Sequence, residues 1–238
     1  MSVSGNLYLI PTNLSEPFSP DAILPREVLA MASRLNYFIV ENAKTARAFL
    51  KAVGIERPMR ELSIRELNAR TSKHELNEML APLLAGNDVG LVSDAGAPGV
   101  ADPGALIVDL AHRHRVNVLP LVGPSSILLG LMASGLNGQK FAFHGYLPQE
   151  KTARIVAIRE LESESRQRDM TQMFIETPYR NQVLLIDLVA TLSPPTRLCV
   201  ASDLTGPTQL IIQQPVSVWR KSSIETRKVP ALFLLLAS

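Results

Sequence analysis

The sequence predicts an α/β protein of two domains, the first built on a mostly parallel sheet and the second on a mixed one. Three observations carry that expectation. Short apolar runs alternate with segments of helical period through the first half. The second half strings apolar runs together at Thr196 to Ala201, Leu210 to Gln213, Val216 to Trp219 and Val229 to Leu236, too closely spaced for all to be joined by crossovers. The pattern also breaks and restarts around Gly135-Leu-Asn-Gly138, which puts the boundary near residue 122 and gives domains 1–122 and 123–238.

The bulk figures agree with two folded domains and exclude several classes. Hydrophobic residues are 46% of the 238 and charged residues 19%, ample for a core and unlike a disordered chain. A net charge of +2 permits a nucleic-acid partner without arguing for one. Cys199 is the single cysteine, inside the apolar run Leu198-Cys-Val-Ala, so no disulfide framework or thiolate metal site forms within one chain. The four histidines have no ligand spacing, His112 and His114 falling on a solvated helix end, and no metal is expected. Met1-Ser-Val-Ser-Gly is not a signal peptide, and Val229 to Ala237 is too short to span a bilayer. A cytoplasmic globular protein with no membrane partner is expected.

In order, Asn6 to Pro11 reads as a buried strand, followed by a polar loop through Pro17, Pro20 and Pro25. Arg26 to Leu35 has helical spacing, and Tyr37 to Val40 is a second strand ending at Glu41. Lys44 to Val53 is a helix closed by Gly54. Arg60 to Ile64 is a weak strand; Lys73 to Leu84 is an amphipathic helix through Leu76, Met79, Leu80 and Leu83, stopping at Gly86. Val89 to Val92 is a buried strand, a helix runs to Arg113, and Val116 to Val122 is the next strand. Past the restart come a strand over Phe141 to Tyr146 and the charged stretch Gln149 to Arg168, read as a solvated helix face and a mobile loop. Met170 to Glu176 is a strand, and Thr177-Pro178 caps a helix to Leu192.

Two strand-to-helix passages stand out. Leu91-Val-Ser-Asp-Ala-Gly-Ala-Pro-Gly-Val-Ala-Asp-Pro-Gly104 carries a small-residue loop, then Asp102 as N-cap with Pro103 at N1. Open α/β sheets hold ligands between a strand end and a helix start, although a plain glycine-rich connection has the same pattern. Val122-Gly-Pro-Ser-Ser-Ile-Leu-Leu-Gly130 repeats the passage with Pro124 suited to N1, and its hydroxyls suit either a ligand or a simple cap.

Read together, several segments resemble the tetrapyrrole methylase superfamily, and within it the branch that methylates small-subunit ribosomal RNA. They are Gly5-Asn-Leu-Tyr-Leu-Ile-Pro-Thr12, Glu41-Asn-Ala-Lys-Thr45, Val92-Ser-Asp-Ala-Gly-Ala-Pro98, Asp102-Pro-Gly104 and Gly123-Pro-Ser-Ser126. Ala133-Ser-Gly-Leu136, Phe143-His-Gly-Tyr-Leu-Pro148 and Phe174-Ile-Glu-Thr-Pro-Tyr-Arg180 continue the series, in one order over nearly the whole chain.

The resemblance implies S-adenosylmethionine in an interdomain cleft and methyl transfer to a substrate nucleophile. By matching position it implies cofactor contact at Pro11, Asp94, Ala95, Gly96, Ala97, Ser125 and Ser126, and at Ile175, Ala201 and Ala231. It also implies a homodimer and an RNA acceptor, 16S rRNA or the small ribosomal subunit, at a ribose 2′-hydroxyl. Basic residues facing such an acceptor are Lys44, Arg47, Lys151, Arg154 and Arg180. No catalytic residue is assigned; Glu41 and Asp203 are the carboxylates a general base would be drawn from. The chain departs from the family's pattern at Asn13-Leu-Ser-Glu-Pro17, at Glu41-Asn-Ala-Lys44 and at Ser202-Asp-Leu-Thr-Gly-Pro-Thr208, where acidic and basic rim residues are replaced. Two alternatives stay open: a small-molecule acceptor such as a porphyrinoid ring, suggested by Val229-Pro-Ala-Leu232, and a cofactor-binding protein without catalysis.

Overall fold

The computed structural model describes residues 4–17, 19–222 and 225–238. The chain divides into two compact units, Met1–Ser125 and Ser126–Ser238. This division falls slightly later than the sequence places it, because residues 121–125 stay with the first sheet. The Leu121 N–H donates to the Leu9 carbonyl at 3.0 Å, and Gly123 packs so tightly on Pro11 that a Cβ there would lie 2.2 Å from its Cγ.

The first unit comprises β1 (Asn6–Ile10), α1 (Pro20–Ile23), α2 (Arg26–Arg34), β2 (Tyr37–Val40), α3 (Ala43–Val53), β3 (Ser63–Glu66), α4 (Lys73–Leu84), β4 (Val89–Val92), α5 (Gly104–Arg113) and β5 (Asn117–Pro120). Every strand pairing is parallel and the order is β3-β2-β4-β1-β5. A parallel sheet needs cover on both faces. Alternate residues provide it: Tyr8, Ile10, Phe38 and Val40 pack with Val28 of α2 and Phe49 and Leu50 of α3, while Leu7, Ile39, Val89 and Leu91 pack with Leu80 and Leu83 of α4 and Ile107 of α5. Asn42 caps α3, accepting from Lys44 and Thr45, and Ser72 with Glu75 closes a capping box on α4. The expected strand over 60–64 is instead a 3₁₀ turn at Met59–Glu61 followed by β3, because Ser63 to Glu66 pairs in register with Tyr37 to Val40. A one-turn helix, α1, interrupts the proline-rich loop.

The second unit comprises α6 (Ser126–Ser134), β6 (Phe141–Tyr146), α7 (Lys151–Arg168), β7 (Thr171–Glu176), α8 (Asn181–Thr191), β8 (Arg197–Ser202), β9 (Leu210–Pro215), α9 (Val216–Trp219) and β10 (Ala231–Leu236). Its order is β6-β7-β10-β8-β9, with β6 and β7 parallel and the other pairings antiparallel, so the sheet is mixed as expected. One face packs Phe174, Phe233, Leu235 and Val200 against Ile158 and Leu161 of α7 and Leu184 and Leu188 of α8. The rings of Phe174 and Phe233 stack 6.0 Å apart. On the other face Gly130 of α6 lies against Leu232, where a Cβ would come within 2.4 Å.

Three sequence expectations are corrected here. Val216 to Trp219 is a helical turn, not a strand. Its first N–H donates to the Thr196 carbonyl, and the Trp219 indole N–H donates to the Leu198 carbonyl at 2.9 Å, so Val216 and Trp219 are buried by one turn rather than by a ladder, while Val218 faces solvent. Residues 151–168 form one unbroken helix with no mobile loop, fixed by Glu150 at its N-cap and by buried Arg154, Ile158, Leu161 and Ser165. Finally, α8 starts at Asn181, one turn after Thr177-Pro178, whose threonine carbonyl instead accepts from the Arg180 N–H.

Candidate active site

The carboxyl ends of β1, β2 and β4 emerge side by side, and β4 brings the small-residue loop there. This is the edge where doubly wound sheets place ligands. All four residues of β4 are buried, and Gly90 lets the strand lie against Ile10, whose Cδ1 would be 2.7 Å from a Cβ.

Four neighbouring segments hold the loop. The Thr12 N–H donates to the Gly96 carbonyl at 2.9 Å, and its hydroxyl donates to the Ser93 carbonyl at 3.3 Å. The buried Ser93 hydroxyl lies 3.3 and 3.2 Å from the Ala95 and Gly96 carbonyls. Glu41, just past β2, accepts from the Asp94 N–H at 3.0 Å, and the Thr45 hydroxyl of α3 donates to Asp94 Oδ1 at 2.6 Å. The far side is closed by Asp102, whose carboxylate accepts from the Gly99 N–H at 2.9 Å and the Gly104 N–H at 2.6 Å. The expected cap is corrected here: Pro103, not Asp102, stands at the N-cap and the helix starts at Gly104, while the Asp102 carboxylate accepts from the Gly104 N–H from one residue before the cap. Glu66 accepts from the Ala43 N–H at 2.7 Å and so ties α3 to β3.

What faces outward beside Gly96 is small: Asp94 and Ala95 are exposed, and Ala97 is half-buried. Gly96 has φ +73° and stands where a Cβ would meet Leu14 at 3.0 Å and the Pro124 carbonyl at 3.5 Å, so no side chain intrudes on the loop at that point. Burial raises the Glu41 pKa, and the nearby Asp102 and Asp94 carboxylates add to the rise against the Asp94 N–H. Burial likewise raises Asp102, opposed by the hydrogen bonds from Gly104 and Gly99.

The first unit thus gathers Pro11, Asp94, Ala95, Gly96 and Ala97 at one edge, with Gly123 packed on Pro11 and followed by Ser125. Ser126, Ile175, Ala201 and Ala231 belong to the second unit. There Ile175 and Ala201 both pair with Leu232, in a single cross-strand row. Ala231 is one residue off that row, paired with Glu176 and Ser202. The two carboxylates considered as bases have other duties. Glu41 is turned to the Asp94 N–H. Asp203, buried at φ +51°, accepts from the Thr208 N–H at 2.9 Å and its hydroxyl at 2.5 Å and so organises a turn. Among the basic residues, Lys44, Arg47 and Lys151 are exposed, but Arg154 is 4% exposed and paired with Asp187, and Arg180 is paired with Glu176 at 2.8 Å. Arg154 is therefore withdrawn from any contact with an outside anion. Thr12 and Thr45 hold the loop although neither was singled out from the sequence; their only signal is that both lie within the recurring segments. Among the described residues no group of three His, Cys, Asp or Glu could hold a metal ion, and no helix is long and apolar enough to cross a membrane.

Solved structures give the class first. The methyltransferase CobJ aligns over 99% of this chain and 95% of its own, with a TM-score of 0.64 at 18% identity. A conserved hypothetical protein from Aeropyrum pernix K1 aligns over 98% and 85%, with a TM-score of 0.67 at 14% identity. The fold is that of the tetrapyrrole methylases. No protein-family model matches the chain. Among curated relatives, the ribosomal RNA small subunit methyltransferase I of Xylella fastidiosa (strain Temecula1) is 32% identical over 208 residues, 86% of this chain and 70% of that protein. The protein of the same name from Escherichia coli O157:H7 is 29% identical over 227 residues, 94% of this chain and 75% of its own length. The chain belongs to the ribosomal RNA small subunit methyltransferase I family and is a methyltransferase.

Proposed function

We propose that the protein transfers a methyl group from S-adenosylmethionine to RNA of the small ribosomal subunit, at a ribose 2′-hydroxyl. The observation that carries this reading is the 32% identity to the Xylella fastidiosa methyltransferase over 86% of the chain. The site fits the cofactor: Gly96 and the alanines beside it leave the loop low, and Asp94, oriented by Thr45, has lone pairs left for hydroxyl or ammonium donors. Pro11, Asp94, Ala95, Gly96, Ala97 and Ser125 of the first unit would contact it, and Ser126, Ile175, Ala201 and Ala231 are the contacts that the resemblance adds. The bound cofactor supplies a sulfonium methyl that a nucleophile displaces in line.

The chain's own residues then have to position and exclude water rather than make bonds. Thr12, Ser93 and Glu41 fix the loop backbone. Glu41 acts by orienting the loop, since its Oε2 is engaged by the Asp94 N–H. A homodimer of the 26.0 kDa chain belongs to the same reading, covering exposed apolar side chains such as Met132 of α6 and Ile186 of α8. Light scattering that returns the single-chain mass at micromolar concentration counts against it.

The test offers purified protein radiolabelled S-adenosylmethionine with small subunits from a strain lacking the gene, naked 16S rRNA, and a porphyrinoid. Label in rRNA is expected, and digestion should place it on a ribose oxygen. Label only in the porphyrinoid moves the acceptor to a small molecule; the solved-structure likeness, at 18% identity, argues the fold and not that acceptor.

A further inference from the structure

We propose that the outer face of α3, continued into the loop up to Arg60, is the surface that binds the phosphate backbone of the RNA. The proposal rests on the RNA reading above and adds to it a location and a set of residues. Residues 42–60 contain Lys44, Arg47, Lys51, Arg57 and Arg60 against the single acid Glu56, a local net charge of +4 in a chain whose total is +2. All five cations are exposed, and Glu56 is 3.4 Å from the Ser33 hydroxyl.

Some helical cations elsewhere are neutralised within their own helix or by the residues leading into it. Arg113, Arg166, Arg168 and Arg180 each pair with an acid one turn back, at Asp109, Glu162, Glu164 and Glu176. On α3 the position one turn before Arg47 is Ala43, and the position one turn before Lys51 is Arg47 itself. A like-charge pair one turn apart destabilises a helix, and α3 contains no acid to offset it. Among the described residues, none of the five cations makes an ion pair with a carboxylate. Phosphates from outside would supply the missing counter-charge.

Two further features point the same way. An open groove of about 490 Å³ lies along this face, lined by Arg47, Ala48, Lys51, Gly54, Ile55 and Met59. Cations at its rim and a half-buried aliphatic floor at Ile55 and Met59 suit a nucleotide, charged along its backbone and apolar on its base faces. The first turn of α3 is also bonded to the candidate cofactor loop, Thr45 to Asp94 at 2.6 Å. RNA running along α3 from Arg60 towards Lys44 is thereby led to that loop.

The experiment compares wild type with two triple neutralisations of equal charge, Arg47→Gln/Lys51→Gln/Arg60→Gln on the proposed face and Lys140→Gln/Arg159→Gln/Lys221→Gln on the second unit. Affinity for a 16S rRNA fragment is measured at several salt concentrations, with S-adenosylmethionine binding by calorimetry as the check on folding. The α3 triple should bind RNA roughly tenfold more weakly at low salt, with a salt slope shallower by about 2, near 0.7 per cation lost on a single strand. The second-unit triple should match wild type. Equal loss in both triples, or loss in the second alone, overturns the surface while leaving the RNA reading intact. A wild type that binds no RNA overturns both. Should the α3 triple not fold, ultraviolet crosslinking of RNA to the wild type decides: crosslinks in the peptides spanning 44–60 support the proposal, and crosslinks confined to the second unit reject it.

Discussion

One carboxylate oxygen of Asp187 on α8 accepts two hydrogen bonds from the Arg154 guanidinium on α7, from Nε at 2.8 Å and from Nη2 at 2.6 Å. The remaining fork of Arg154 donates to the Pro148 and Gln149 carbonyls. Both side chains are buried, so removing the arginine leaves a carboxylate without compensation. Arg154→Ala should lose about 3–5 kcal/mol in urea unfolding, whereas Arg154→Met with Asp187→Leu should recover most of it. A single variant as stable as wild type would show that the pair contributes little.

Gly123→Ala tests the close approach of the residue-123 backbone to Pro11. The added Cβ would lie 2.2 Å from Pro11 Cγ and 2.5 Å from its Cβ, so the ring must move. Overpacking of this kind costs about 1–3 kcal/mol. The affinity for S-adenosylmethionine should fall with it, because Pro11 leads into Thr12 and the bond to Gly96. Calorimetry showing wild-type affinity would mean that Pro11 takes no part.

Ala97→Arg should abolish cofactor binding while the circular dichroism spectrum and unfolding midpoint stay near wild type. Ala97 is half-buried on the outer side of the loop, where a guanidinium can occupy the cofactor's place without entering the core. Retained heat of binding would exclude this loop from the cofactor site.

Glu41→Gln makes a pH-dependent prediction. Burial raises the Glu41 pKa, so the native state holds that proton more tightly than the unfolded chain does. Its contribution is therefore fully present below the unfolded pKa and is lost as pH rises through the folded one. Glutamine keeps an oxygen for the Asp94 N–H and carries no charge. The variant should gain stability relative to wild type as pH rises above the ordinary glutamate range, the difference levelling off once Glu41 is ionised in both states. Parallel urea titrations across that rise settle the point, a flat difference being the contrary result.

The legible parts of this molecule were those in which local chemistry and tertiary role agree. Asp102-Pro103 announces a helix start, and the all-apolar Val89 to Val92 announces a strand buried on both faces. The strand reading of Val216 to Trp219 failed because Val-Ser-Val-Trp alternates with a strand's period. What decides its state is the indole bond to Leu198, which no pattern within the segment encodes. Arg154 was misread for a similar reason: in sequence it is one cation in a charged helix, and its partner Asp187 lies 33 residues on. The site loop was legible as a loop, whereas the contacts that shape it come from beyond two strand ends, at Thr12 and Glu41, and from the first turn of α3, at Thr45, and cannot be counted off along the chain.

The position of β10 has a consequence for how the protein is made. It lies between β7 and β8, yet it is the latest of the second sheet's strands in sequence. As the polypeptide leaves the ribosome, the β6–β7 pair and the β8–β9 pair are complete but have no bonds to each other, and each keeps an open strand edge. The sheet closes only when Ala231 to Leu236, buried at every position, slides between them. Until then two hydrogen-bonding edges and an unsheltered apolar segment coexist in one nascent chain, the state in which strand proteins aggregate or recruit chaperones.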